Sequence, residues 1–184
     1  MATTVEPQAF RFVIFDAGLI ARVADELVAM LGIDRPLHIV VDETTPLGKV
    51  SATIGDIIEV RVQSGAFEDT KRPRHQSEDV TAVSLGRILL RTRDRLQGGF
   101  GEAPDDDDLS LRQMAAWETY TAGRLSRLGL QVLQPRWLYN FRNRHGFTDL
   151  ADAAFQQIWA ADALGWGELE AISTAGAVPT GIDA

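Results

Sequence analysis

The chain has 184 residues, 45% of them hydrophobic, no cysteine and a formal net charge of −8. That is enough apolar material for a substantial core, too acidic a balance for a general binder of nucleic acid or anionic membrane, and no thiol for a disulfide, a thiolate metal site or a cysteine nucleophile. No apolar run approaches the roughly 18 to 20 residues of a membrane-spanning helix. The start, Met1-Ala2-Thr3-Thr4-Val5-Glu6, lacks the basic and apolar stretches of a signal peptide. The expectation is therefore a cytoplasmic protein, with a single domain over residues 1–172 and a loose tail over 173–184.

In chain order, Phe10 to Phe15 reads as a short strand. Asp16 suits a helix N-cap, because its carboxylate can accept a free N–H of the first turn. The helix runs from Ala17 to Leu31, with Leu19, Ile20, Val23, Leu27 and Met30 on one side and Gly32 at the left-handed C-terminal position. Leu37 to Val41 is a strand, and Thr44 to Gly48 a loop marked by Pro46 and Gly48. Val50–Ile54 and Ile57–Gln63 form a hairpin about Gly55-Asp56, where a glycine permits a tight two-residue turn. Ile58, Val60 and Val62 alternate with Glu59, Arg61 and Gln63, as in a strand with one wet face.

Residues 64–79 read as a long polar loop carrying Lys71-Arg72-Pro73-Arg74-His75. A helix spans about Val80 to Leu96. A second loop, 97–108, has three glycines and four consecutive aspartates. A long helix follows from about Leu109 to Leu128, with Ser110 and Gln113 spaced as a capping box. Pro135 interrupts, 136–144 is short and aromatic-rich, Thr148 to Leu164 is another helix, and Glu168 to Ile172 adds a turn. Early strands followed by helices give an α+β domain, with a small, mostly antiparallel sheet of three to four strands packed against several helices.

The helix over 80–96 carries the sequence Val83-Ser84-Leu85-Gly86-Arg87. With Leu85-Gly86 at its centre, Glu118 on the next long helix, and Leu125, Leu128 and Pro135 beyond, the segment from Ala17 to Pro135 resembles a small intracellular zincin of the ImmA/IrrE-like kind. The shared outline is a helix, a strand, a hairpin, the active-site helix and a second helix. In that family the helix bears His-Glu-x-x-His. The resemblance thus sets Val83 at the first histidine, Ser84 at the catalytic glutamate, Arg87 at the second histidine and Glu118 at the third ligand. A catalytic zinc needs about three imidazole or carboxylate ligands plus an open position. Valine cannot ligate, arginine opposes a dication, and serine cannot replace the general base. The resemblance therefore implies a metal-free scaffold with no cofactor, in which an Arg87–Glu118 salt bridge can stand where metal once sat.

Of 18 Lys and Arg residues, 13 lie between Lys71 and Arg144, and none follows. Arg87, Arg91 and Arg95 form an i, i+4, i+8 row, either a solvated stripe or a binder of carboxylate or phosphate through paired N–H donors. His38 reads as a strand residue with an ordinary hydrogen bond, His75 as an exposed loop residue, and His145 as part of a turn. The Asp105–Asp108 run lacks the spacing of a calcium loop, and Gly98-Gly99-Phe100-Gly101 reads as a flexible connector rather than a phosphate loop. Trp137, Tyr139 and Phe141 read as helix-packing core, and Trp159 and Trp166 as anchors of the last helix.

Three functional readings follow. The first is a non-enzymatic binding or regulatory domain, with a protein or small anionic ligand contacting Arg72, Arg74, His75, Arg87, Arg91 and Glu118. The second is an enzyme for an acidic or phosphorylated substrate, using Arg87 and His75 with Glu68, Asp69 or Glu118. The third is a nucleic-acid adaptor using residues 71–95 and 136–144.

Overall fold

A computed structural model describes residues 3–177 and divides the chain into two compact units, one ending at Arg93 and the other starting at Asp94. The fold class is α+β.

Unit 1 begins with β1 (Thr4–Glu6) and α1 (Ala17–Leu31). Asp16 caps α1 by accepting the N–H groups of Gly18 and Leu19 at 2.8 and 3.3 Å, and Gly32 ends it at φ 64°. Both ends fall where side-chain chemistry dictates: a carboxylate for the orphan donors and a residue without Cβ for the left-handed turn. β2 (Leu37–Asp42) follows, then β3 (Val50–Ile54) and β4 (Ile58–Gln63). Alternate residues of β2 and β4 are buried: Leu37, Ile39 and Val41 beside Ile58, Val60 and Val62.

The strand order is β1-β2-β4-β3. β1 and β4 both run parallel to β2, and only β3 is antiparallel, so the sheet is mixed rather than mostly antiparallel. The β3–β4 hairpin sends β3 outward, which leaves β4 to pair with β2. Ile54 faces Ile58, so Gly55, Asp56 and Ile57 all lie in the connection and the turn is longer than two residues.

Two further expectations for unit 1 are corrected. Residues 10–15 are not a strand; only Ile14 makes an isolated bridge, to His75. Residues 64–79 are not a loop. A 3-10 turn at Ser64–Ala66 leads into a hairpin of β5 (Glu68–Asp69) and β6 (Arg72–Gln76), and α2 (Glu78–Gln97) starts at Glu78. Carboxylates replace apolar contacts in closing this hairpin: Asp69 accepts the Lys71 N–H at 2.8 Å, and Glu68 accepts that of Arg74 at 3.1 Å.

Unit 2 takes the last turn of α2 and adds α3 (Leu111–Arg127), α4 (Gln134–His145), α5 (Asp149–Ala160) and α6 (Trp166–Ala175). The Ser110–Gln113 capping box forms as expected. Pro135 does not interrupt but opens α4, where a missing N–H costs nothing. The turn expected at 168–172 belongs to α6, and the tail expected from Ser173 starts inside that helix; residues 178–184 lie outside the described residues. Phe100, Trp117, Tyr120, Phe141, Phe155, Ile158 and Trp166 form the core. Phe100, expected in a flexible connector, stacks on Trp117 at 4.8 Å. α3 and α5 approach closely at Gly123, where a Cβ would stand 2.2 Å from the Trp159 carbonyl oxygen. Among the described residues no helix is long and apolar enough to cross a membrane.

Candidate functional site

The β5–β6 hairpin gathers three of the expected binding residues, Arg72, Arg74 and His75, on five residues of one strand. Arg72 and Arg74 are exposed with Lys71, while His75 is half-buried on β6 rather than free in a loop. The neighbouring acids turn inward and are occupied. Asp69 also accepts from the Arg72 guanidinium at 3.1 Å, and the Lys71 N–H, with Arg72 second, holds its carboxyl below the usual carboxylate range. The outward charge of the hairpin is thus positive. Arg74 sits at φ 64°, the only non-glycine with positive φ among the described residues. That conformation costs of the order of 1–2 kcal/mol and persists because both Arg74 backbone groups are held: its N–H by Glu68, its carbonyl by Ile14.

Beside the hairpin runs the segment 10–16. The Ile14 N–H donates to Arg74 O at 2.7 Å, and the Gln76 N–H to Ile14 O at 3.3 Å. Glu43 accepts the N–H groups of both Arg11 and Phe12 at 2.7 Å, and the Gln76 side chain accepts the Asp16 N–H at 2.9 Å. Val13 is buried, whereas Phe12 and Ile14 on either side of it are 59% and 64% exposed. Neither residue was legible as a surface feature, because residues 10–15 read only as a short strand and the unbroken apolar run from Phe12 to Phe15 does not say which side chains are exposed. The segment therefore holds two large apolar side chains in water, and at Ile14 it bridges the strand that carries Arg72 and Arg74.

The expected active-site helix is differently employed. Ser84, which the resemblance sets at the catalytic glutamate, is buried and donates its hydroxyl to Ala66 O at 2.7 Å. Thr81 and Thr92 likewise donate to Ser77 O and Ile88 O, at 2.7 and 2.9 Å. Val83 and Arg87 are half-buried on α2, and Glu118 is half-buried on α3 in the other unit. The arginine row is not a solvated stripe. Arg91 is only 5% exposed. Arg95 donates to the carbonyls of Ala103 and Pro104 and to Asp106, and lies over the Trp117 ring at 4.9 Å.

The histidines are dispersed. His38 bonds Thr4 Oγ1 through Nδ1 at 2.8 Å, the ordinary strand contact expected. His145 is not in a turn but ends α4 inside the core. Its Nε2 meets Ser173 Oγ at 2.7 Å, its Nδ1 meets Phe141 O at 3.1 Å, and its ring stacks on Phe141 at 3.7 Å. Burial pushes its pKa below the usual histidine value. Trp137 and Phe141, four residues apart on α4, face the core, whereas Tyr139 is exposed beside Phe147. Trp166 packs on Trp117 and Trp159 stacks on Phe155, as expected of anchors. Among the described residues no three His, Asp or Glu side chains lie close enough to hold a metal ion.

No family model, no curated protein and no solved structure matches this chain.

Proposed function

We propose that this is a cytoplasmic, non-enzymatic binding or regulatory module on a metal-free, zincin-like scaffold, and that it docks an acidic, apolar segment of a protein partner. One observation carries the reading: Phe12 and Ile14 are exposed yet pinned by bonds from the backbone of their own segment, beside the exposed Lys71, Arg72 and Arg74. Exposing large apolar side chains costs solubility and is common where a partner covers them. Pinning them removes much of the ordering entropy that binding would otherwise cost. The scaffold part rests on the order of α1, β2, the β3–β4 hairpin, α2 and α3, with Val83, Ser84 and Arg87 in place of the family's ligands and base.

Turnover is disfavoured by how the polar groups are spent. A catalytic constellation needs groups aimed at a common reacting point. Here Glu43, Glu68, Asp69 and Ser84 are all bonded to the protein's own backbone.

The test is titration of the intact chain with extended synthetic peptides that combine Asp or Glu with Leu or Phe. Binding should weaken at least about tenfold in Phe12→Ser/Ile14→Ser, with no loss of folding, and by less in Arg72→Ala/Arg74→Ala. Binding indifferent to both pairs overturns the surface. Elemental analysis of untagged protein, purified without chelator or added zinc, should find no stoichiometric metal; one zinc per chain overturns the metal-free scaffold.

A further inference from the structure

We propose that the outer edge of β3 is a docking surface for a second copy of this chain, joined β3 to β3 in antiparallel register about a two-fold axis at Ala52. The inference is independent of the binding surface above.

The ladder itself says which groups are available. The Gln63 N–H donates to Lys49 O at 2.9 Å, which makes Lys49 and Gln63 a hydrogen-bonded pair. Antiparallel pairs alternate between bonded and non-bonded. Ser51 with Arg61 and Thr53 with Glu59 are then the bonded pairs of the β3–β4 ladder. Val50, Ala52 and Ile54 turn their N–H and C=O groups the other way, past the last strand of the sheet. The bond from the Ile58 N–H to Pro36 O, on the β2 side, agrees with this phase from the opposite strand. Among the described residues no strand lies beyond β3.

Natural sheets blunt such edges with charge, proline or a bulge. Val50-Ser51-Ala52-Thr53-Ile54 has no charge and no proline, and its pairing with β4 shows no register shift. Instead it is close to self-complementary. In the antiparallel register centred on Ala52, Val50 faces the partner's Ile54, Ala52 faces the partner's Ala52, and Ser51 faces the partner's Thr53. The apolar pairs fall on the side of Ile58, Val60 and Val62, which β4 buries. Hydroxyl faces hydroxyl on the other side. Every facing pair that includes Val50, Ala52 or Ile54 exchanges both backbone bonds. Lys49 arrives opposite the partner's Gly55, next to the partner's Asp56, so opposite charges meet at both ends of the joint. The match is to the strand's own sequence, and that makes the occupant a second copy.

Because the chain has no cysteine, a single introduced one reports the axis. Facing Cα atoms of a bonded pair lie about 5.5 Å apart, inside the roughly 4.4–6.8 Å a disulfide spans. Ala52→Cys should form a cross-linked dimer under mild oxidation. Ser51→Cys, which faces the partner's Thr53, should cross-link far more slowly. Sedimentation over a wide concentration range should show a reversible dimer. Ala52→Pro should weaken it at least about tenfold, while the monomer's melting temperature holds, since a proline whose N–H would face outward removes no β3–β4 bond. A chain that stays monomeric to its solubility limit, or one in which both cysteine variants cross-link equally, overturns the proposal. If Ala52→Pro proves unfolded, the two cysteine variants decide alone.

Discussion

Removing the carboxylate of Asp94 should be the most damaging conservative change in unit 2. Asp94 accepts both terminal nitrogens of Arg124 at 2.7 Å and the Trp117 indole N–H at 2.8 Å. The two ionic side chains are only 7% and 11% exposed, and Arg124 is further covered by the Tyr120 ring at 3.7 Å. Asp94→Asn keeps the shape but removes the charge, and turns one donor of the new amide against a donor of Arg124. Two charges about 4 Å apart interact by about 4 kcal/mol at an effective dielectric constant near 20. Breaking one side of a buried pair typically costs about 3–5 kcal/mol. We expect a loss of about 3–4 kcal/mol in urea unfolding, or roughly 10 °C in melting temperature for a chain of this length. Asp94→Leu combined with Arg124→Met should recover part of it, because replacing both charges with apolar groups is often neutral. It should remain below wild type by the lost Trp117 partner, about 1–3 kcal/mol. A cost under about 1 kcal/mol for Asp94→Asn would place the pair among solvent-screened surface bridges and refute the argument.

Gly123→Ala should destabilise by about 2 kcal/mol even though alanine favours a helix by about 1 kcal/mol, because the new methyl would overlap the Trp159 backbone rather than a side chain that can turn away; urea unfolding reads the difference. For His145 the folded pKa is depressed, first by burial and further by the nearby Arg112. The neutral ring is the form the fold favours. Its contribution is therefore complete above the unfolded value of about 6.5 and is lost as pH falls toward the depressed one, at up to about 1.4 kcal/mol per pH unit. A stability–pH profile should fall over that acidic window and flatten in His145→Gln.

Elements whose boundaries are set by local chemistry were legible in the sequence. α1 was readable from cap to cap because Asp16 and Gly32 act within a few residues of themselves, and Ser110–Gln113 for the same reason. β2 and β4 were legible from alternation, yet their parallel pairing was not, since alternation says which face is buried and nothing of the neighbour. β5–β6 was invisible because carboxylates, not apolar residues, close it. Pro135 misled because proline breaks a helix interior but begins a helix equally well. Of the candidate site, the cations at 72 and 74 stood out by charge. Phe12 and Ile14 did not, because their exposure depends on Glu43 and Gln76, thirty to sixty residues away.

The two surfaces proposed for unit 1 should respond to salt in opposite senses. At the hairpin, Lys71, Arg72 and Arg74 attract carboxylates through water, so peptide affinity should fall as ionic strength rises. At the β3 edge, two chains each carrying −8 must approach, and their self-repulsion opposes a joint built from backbone bonds and apolar pairs. With charge centres about 35 Å apart, the usual scale for chains of this length, the repulsion is about 2 kcal/mol at 0.01 M salt, where the screening length is about 30 Å. It nearly vanishes at 0.15 M, where that length is about 8 Å. Dimerisation should therefore strengthen roughly thirtyfold between those conditions, read by sedimentation equilibrium, while peptide binding weakens in the same buffers. Self-association that weakens with salt would mean that charge rather than the strand ladder holds the copies together, and the Ala52 axis would be wrong.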